Sequence, residues 1–130
     1  MSFNCFVCGK ENPKGLRLDI QLKDGIAYAE FALGKEYEGY PNILHGGIIA
    51  AILDDVMANT KFLEGYILYT VELNVKYLKH CLVGEKLFAF GYAKEIHYNI
   101  LQTSGEIKDI SNGIRATATG KYYIKGVNKL

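Results

Sequence analysis

At 130 residues, with 49% hydrophobic and 22% charged residues, the sequence reads as one globular domain, 1–130, that buries roughly two thirds of the surface its unfolded chain exposes. A formal net charge of +1 excludes a general attraction to nucleic acid or to acidic membranes. The longest apolar run, Ile48 to Leu53, falls far short of the ~20 residues of a membrane span, and "MSFNCFVCGK" lacks the features of a secretion signal, so a cytoplasmic protein without a membrane partner is expected.

Residues 1–15 are punctuated by Gly9, Pro13 and Gly15 and predict irregular structure. In "LRLDIQLK" the alternation of Leu16, Leu18, Ile20 and Leu22 with polar residues predicts a half-buried strand. Asp24-Gly25 supplies a tight turn into a second, antiparallel strand over about Ile26 to Leu33. After a glycine-containing loop, Ile48, Ile49, Ile52, Leu53, Val56, Met57 and Phe62 recur at helical spacing over more than half of the circumference, which predicts a nearly enclosed helix. Ile67, Tyr69, Val71, Leu73, Val75 and Tyr77 then occupy every second position of a strand, with Thr70, Glu72, Asn74 and Lys76 opposite. Residues 85–98 and 99–110 alternate more weakly. The last strand sets Ile114, Ala116, Ala118, Gly120, Tyr122 and Ile124 on one face, where its small residues allow close approach of a helix. One helix among about six antiparallel strands implies an α+β fold with the sheet curled around the helix.

"CFVCGKENPKGLRL", "EGYPNILHGGIIAAILDD" and "YTVELNVKYLKHCLVGE", in this order on this pattern, resemble the hotdog-fold acyl-CoA thioesterases of the phenylacetate-pathway and 4-hydroxybenzoyl-CoA type. The resemblance spans nearly the whole chain. It implies a homodimer or a dimer of dimers, coenzyme A thioesters as substrates and no cofactor. It further implies that the backbone N–H of Gly46, with Gly47 beside it, polarises the thioester carbonyl, and that Asp54, nine residues after His45, activates water or attacks directly. Thr70 matches a hydroxyl position that orients the water in some members. Many relatives carry an asparagine six residues before the histidine; here that position is Gly39, with Asn42 nearer as a substitute. Asn42, Asp55 and Asn74 are assigned to substrate binding, and Asp55 stands where relatives often have glutamate. Two rival readings are a non-catalytic acyl-CoA or fatty-acyl binding module on the same fold and a dehydratase.

Thioester hydrolysis passes through a tetrahedral oxyanion and needs fixed donors where that charge appears, with a base or nucleophile close by. The first turn of a helix offers unpaired N–H groups and the positive end of its dipole. Gly46 and Asp54, however, are separated by ~12 Å along a helix axis at 1.5 Å per residue. One helix cannot bring both to a single carbonyl. If they share a site, the amide of one copy must meet the carboxylate of another across a two-fold axis.

Asp54 and Asp55 point ~100° apart, so only one faces a given pocket squarely. Asp54 shares its lane with Ala50, Ala51, Met57 and Ala58, which leaves room for a substrate, and is the preferred base or nucleophile. His45 is either a catalytic group or a structural histidine bonded to nearby backbone. Cys5 and Cys8 form a CxxC without a second pair at zinc-ribbon spacing, so no metal site is expected, and three cysteines suit a reducing compartment. Lys76, Lys79 and Lys86 are either a solvated face or a group that meets the phosphates of coenzyme A.

Overall fold

The computed structural model describes residues 1–127. Its elements run β1 (Gln21–Lys23), β2 (Ile26–Phe31), a 3-10 turn (Lys35–Tyr37), α1 (Gly46–Phe62), β3 (Tyr66–Tyr77), β4 (Leu87–His97), β5 (Ile100–Asp109) and β6 (Ile114–Val127). The six strands form one antiparallel sheet in the order β1-β2-β4-β5-β6-β3, wrapped around α1. The α+β fold expected from the sequence is present, with β3 carried to an outer edge.

Asp24 and Gly25 take φ of 53° and 79°, the left-handed pair that a two-residue hairpin demands, and β1 joins β2 there. The strand expected from Leu16 is shorter. Arg17 has φ 54°, which breaks the extension, and the N–H groups of Leu16 and Leu18 donate to Phe6 and Val7 carbonyls at 2.8 Å. Leu16 and Leu18 are still buried, so their alternation reported packing against the N-terminal segment and not sheet pairing.

The helix lies closest to the sheet along a lane of small residues. Gly91 on β4 pairs directly with Gly105 on β5, and a Cβ on Gly91 would fall 2.3 Å from the Val56 carbonyl oxygen. Ala116, Ala118 and Gly120 on β6 extend the lane, as their small size predicts. Ile52, Leu53, Val56 and Met57 fill the core over it. Because backbone blocks the added methyl, Gly91→Ala is expected to cost about 3 kcal/mol as overpacking. Denaturant unfolding measures this, and an unchanged midpoint would contradict the close approach.

α1 is less enclosed than its apolar pattern predicts. Its C-terminal half is buried, but Gly46 and Gly47 are exposed and Ala50, Ala51 and Asp54 are half-buried. β3 departs further. Its pairing with β6 shifts register between Thr70 and Glu72, leaving Val71 as an extra residue. Thr70 opposite Tyr122 and Leu73 and Val75 opposite Gly120 and Ala118 consequently all face the helix, while Tyr69, Glu72 and Asn74 face outward. The expected single apolar face from Ile67 to Tyr77 is thus split by the bulge. Tyr69, Val71, Leu73 and Tyr77 remain exposed along this edge strand.

Candidate active site

His45 caps the helix: its Nδ1 accepts the Gly47 N–H at 2.8 Å, and its carbonyl accepts the N–H groups of Ile48 and Ile49 at 3.0 and 3.2 Å. Of the first four helical N–H groups, only that of Gly46 takes no acceptor among the described residues. His45 therefore serves as a structural cap, and its use of the Gly47 N–H withdraws that donor from a ligand. The atoms nearest to an added Cβ on Gly46 would be those of the Tyr77 phenol, at an ordinary 3.5 Å, so the protein's own packing does not demand glycine there.

Tyr77 O–H donates to the Gly46 carbonyl at 2.7 Å and ties the end of β3 to the start of α1. Burial pushes its phenol up, so Tyr77 remains a protonated donor. Beside them opens a cavity of about 430 Å³, lined by Ile43, Gly46, Gly47, Tyr77, His80, Cys81 and neighbours. No aspartate or glutamate is among the lining residues. Arg115 fixes the loop that forms one wall: its Nη1 donates to the His80 carbonyl at 2.7 Å, its guanidinium pairs with Glu85 and Asp109, and its own carbonyl accepts from Leu78 and Lys79. Burial pushes the Cys81 thiol up to about 11, which leaves no thiolate in the cavity at neutral pH.

Asp54 sits elsewhere, in the middle of α1. Its Oδ1 accepts from Tyr122 O–H at 2.8 Å and from Thr70 O–H at 3.0 Å. Thr70 reaches it because the bulge at Val71 leaves Thr70 on the helix face. Burial, followed by the Asp54 charge, pushes the Tyr122 phenol up, so that it stays a donor to the carboxylate. The half-buried carboxylate is oriented by two hydroxyls and keeps free acceptor capacity on Oδ2. Tyr122→Phe removes one of these bonds and is expected to lower turnover about tenfold, since positioning within a hydrogen bond's reach sets a base's efficiency. Steady-state rates check this, and an unchanged rate would contradict a positioning role.

The remaining expected residues lie apart from this carboxylate. Asp55 is buried on another side of α1, facing Cys5 and Asn59, and not in a shared pocket with Asp54. Asn42 takes φ 69° in the loop before the helix, donates its N–H to Glu38 and does not line the cavity. Asn74 points outward opposite Thr119, because the bulge reverses the faces. Of the three lysines only Lys79 lines the cavity; Lys76 faces outward and Lys86 lies 3.8 Å from Glu30. Sequence reasoning missed Tyr122 and Tyr77 as polar members of the site. The signal for Tyr122 was a hydroxyl-bearing ring at the end of the small-residue lane on β6.

No family model matches the sequence. The fold is shared with a "Hypothetical Thioesterase Protein with Coenzyme A" of Streptococcus pneumoniae, at a TM-score of 0.80 and 17% identity over 86% of this chain and 88% of that one. That protein was also solved with one aspartate and one threonine changed to alanine in separate structures, at positions sixteen residues apart. A "Putative esterase" of Archaeoglobus fulgidus is 31% identical over 106 residues, 80% of this chain and 68% of that protein. The chain belongs to the hotdog-fold thioesterase family. Among thioesterases, mouse "Acyl-coenzyme A thioesterase THEM5" is 39% identical over 54 residues, which are 42% of this chain but only 22% of that larger protein.

Proposed function

We propose that this thioesterase hydrolyses acyl-CoA thioesters to a carboxylic acid and coenzyme A, at a site built from two copies of the chain. The observation that carries the reading is a division of labour within one protomer. The cavity at the helix start has an unpaired N–H at Gly46 but no acid, whereas the oriented carboxylate of Asp54 has no such donor beside it. The Asp54–Thr70 pair is sixteen residues apart, the same separation as the two residues replaced in the streptococcal protein, whose structure was also solved with coenzyme A. The similarity of 54 residues to the acyl-coenzyme A thioesterase THEM5 supports the same substrate class.

In this reading Asp54 of one copy takes a proton from water, and the resulting hydroxide adds to the thioester carbonyl. Thr70 and Tyr122 hold the carboxylate in place. The oxyanion that forms is met by the Gly46 N–H of the second copy at the positive end of α1, and the tetrahedral species collapses by expelling the coenzyme A thiolate, to which the proton held by Asp54 passes, restoring the base. These steps require no cofactor or metal. The second copy is expected against β3, an edge strand with unpaired backbone groups and exposed Tyr69, Val71, Leu73 and Tyr77. That contact would shelter the apolar edge and bring Asp54 of one protomer toward the cavity of the other.

Thiol release measured across short, medium, long and aromatic acyl-CoAs tests the reading. Turnover of at least one class, by a protein that elutes as a dimer or larger, is expected. Tight binding of acyl-CoA with no thiol released from any of them would instead identify a binding module.

A further inference from the structure

A second cluster of reactive groups lies about 100° around α1 from Asp54. The Cys5–Gly9 segment closes a tight turn: Gly9 N–H donates to the Cys5 carbonyl at 2.9 Å, and a Cβ on Gly9 would fall 2.3 Å from the Cys5 nitrogen. The turn presents both sulfurs to the buried Asp55, and the two Sγ atoms and a carboxylate oxygen all lie within 4.8 Å of one another. The remaining side-chain partner of Asp55 is the neutral Asn59 amide, and no lysine or arginine among the described residues forms an ion pair with it. Asp55 is buried, and nothing in the proposed hydrolysis uses it.

We propose that Cys5, Cys8 and Asp55 bind one divalent cation of the zinc type, fastening the N-terminal segment to α1. The separations fit. Bonds of about 2.3 Å to sulfur and 2.1 Å to oxygen at tetrahedral angles place an S···O edge at about 3.6 Å and an S···S edge at about 3.8 Å. Cys5 Sγ lies 3.6 Å from Asp55 Oδ1, so this edge is already formed. The Met1 thioether, 3.8 Å from Cys5 Sγ and 3.7 Å from Cys8 Sγ, stands on the remaining side as a weak fourth ligand that a water can replace. Two thiolates and an imidazole-free third ligand suit a borderline-soft ion with no need of redox chemistry. On binding, each thiol yields its proton to solvent, and two thiolates, one carboxylate and the dication leave the site at net charge −1. The role is structural: the cluster is separate from the hydroxyls around Asp54.

Cobalt titration of the reduced, metal-stripped full chain tests this. The wild-type protein is expected to develop a sulfur-to-cobalt charge-transfer band that saturates at one equivalent and is bleached by zinc, and zinc is expected to raise its thermal midpoint and shield Cys5 and Cys8 from a thiol reagent. Cys8→Ser should lose the band and Cys81→Ser should retain it. Asp55→Asn should weaken cobalt affinity by at least about tenfold, the effect that even an outer-shell partner has. The absence of a sulfur-to-cobalt band in reduced wild-type protein, or full affinity in Asp55→Asn, would overturn the site. The wild-type thiol-protection measurement decides the matter even where a variant fails to fold.

Discussion

Asp54→Asn is expected to lower kcat for acyl-CoA hydrolysis by about 10³, within the range that a positioned general base contributes. The side chain keeps its size, and its amide oxygen still accepts from Tyr122 and Thr70, which bond Oδ1 at 2.8 and 3.0 Å. Fold and substrate binding are therefore expected to survive, with KM within a few-fold of wild type and the loss concentrated in kcat. Asp55→Asn should leave kcat close to wild type, because Asp55 faces Cys5 and Asn59. Thiol release at saturating substrate measures both. Wild-type turnover in Asp54→Asn, or collapse of turnover in a correctly folded Asp55→Asn alone, would move the chemistry to the other acid.

The second large effect concerns the helix start. Gly46→Pro deletes the unpaired N–H at the first helical position, where proline is well tolerated. His45 before it already has φ −60° and ψ 133°, the extended conformation that a following proline favours. The helix and its His45 cap should persist, while loss of one preorganised donor to the oxyanion lowers kcat by about 10² to 10³. Gly46→Ala keeps the N–H and adds a Cβ in ordinary contact with Tyr77, so it controls for bulk. Its rate should lie well above that of the proline variant. Equal rates in the two would show that space, and not the N–H, is what Gly46 provides.

Strong periodicities carried most of the fold. The Asp24-Gly25 turn, the helix through Phe62 and the last strand follow from local chemistry that tertiary contacts reinforce, whereas the weakly alternating β4 and β5 are fixed by pairing with each other and with β2 and β6. What failed were inferences that assumed an unbroken alternation. A one-residue bulge at Val71 reverses the faces of β3, so Thr70 reaches Asp54 while Asn74 turns away; no composition signal marks that bulge. Leu16 and Leu18 alternated correctly yet joined no sheet, because their partners were irregular carbonyls near the N-terminus. The placement of Gly46 and Asp54 about two turns apart on one helix was legible in sequence. The hydroxyl of Tyr122 was not, because its partner lies 68 residues earlier, and only the close helix–sheet approach over Gly91 and Gly105 brings the two together.

The central claim is that Gly46 of one copy and Asp54 of another serve one substrate. It is tested by unfolding and refolding Asp54→Asn with Gly46→Pro at equal concentration and measuring thiol release. Random pairing makes half of the dimers mixed, and each mixed dimer then regains one intact site of two, so activity should return to about one quarter of wild type from two nearly inactive parents. If both groups acted within one chain, every site in the mixture would remain defective. A mixture no more active than the average of its parents would contradict the two-copy site.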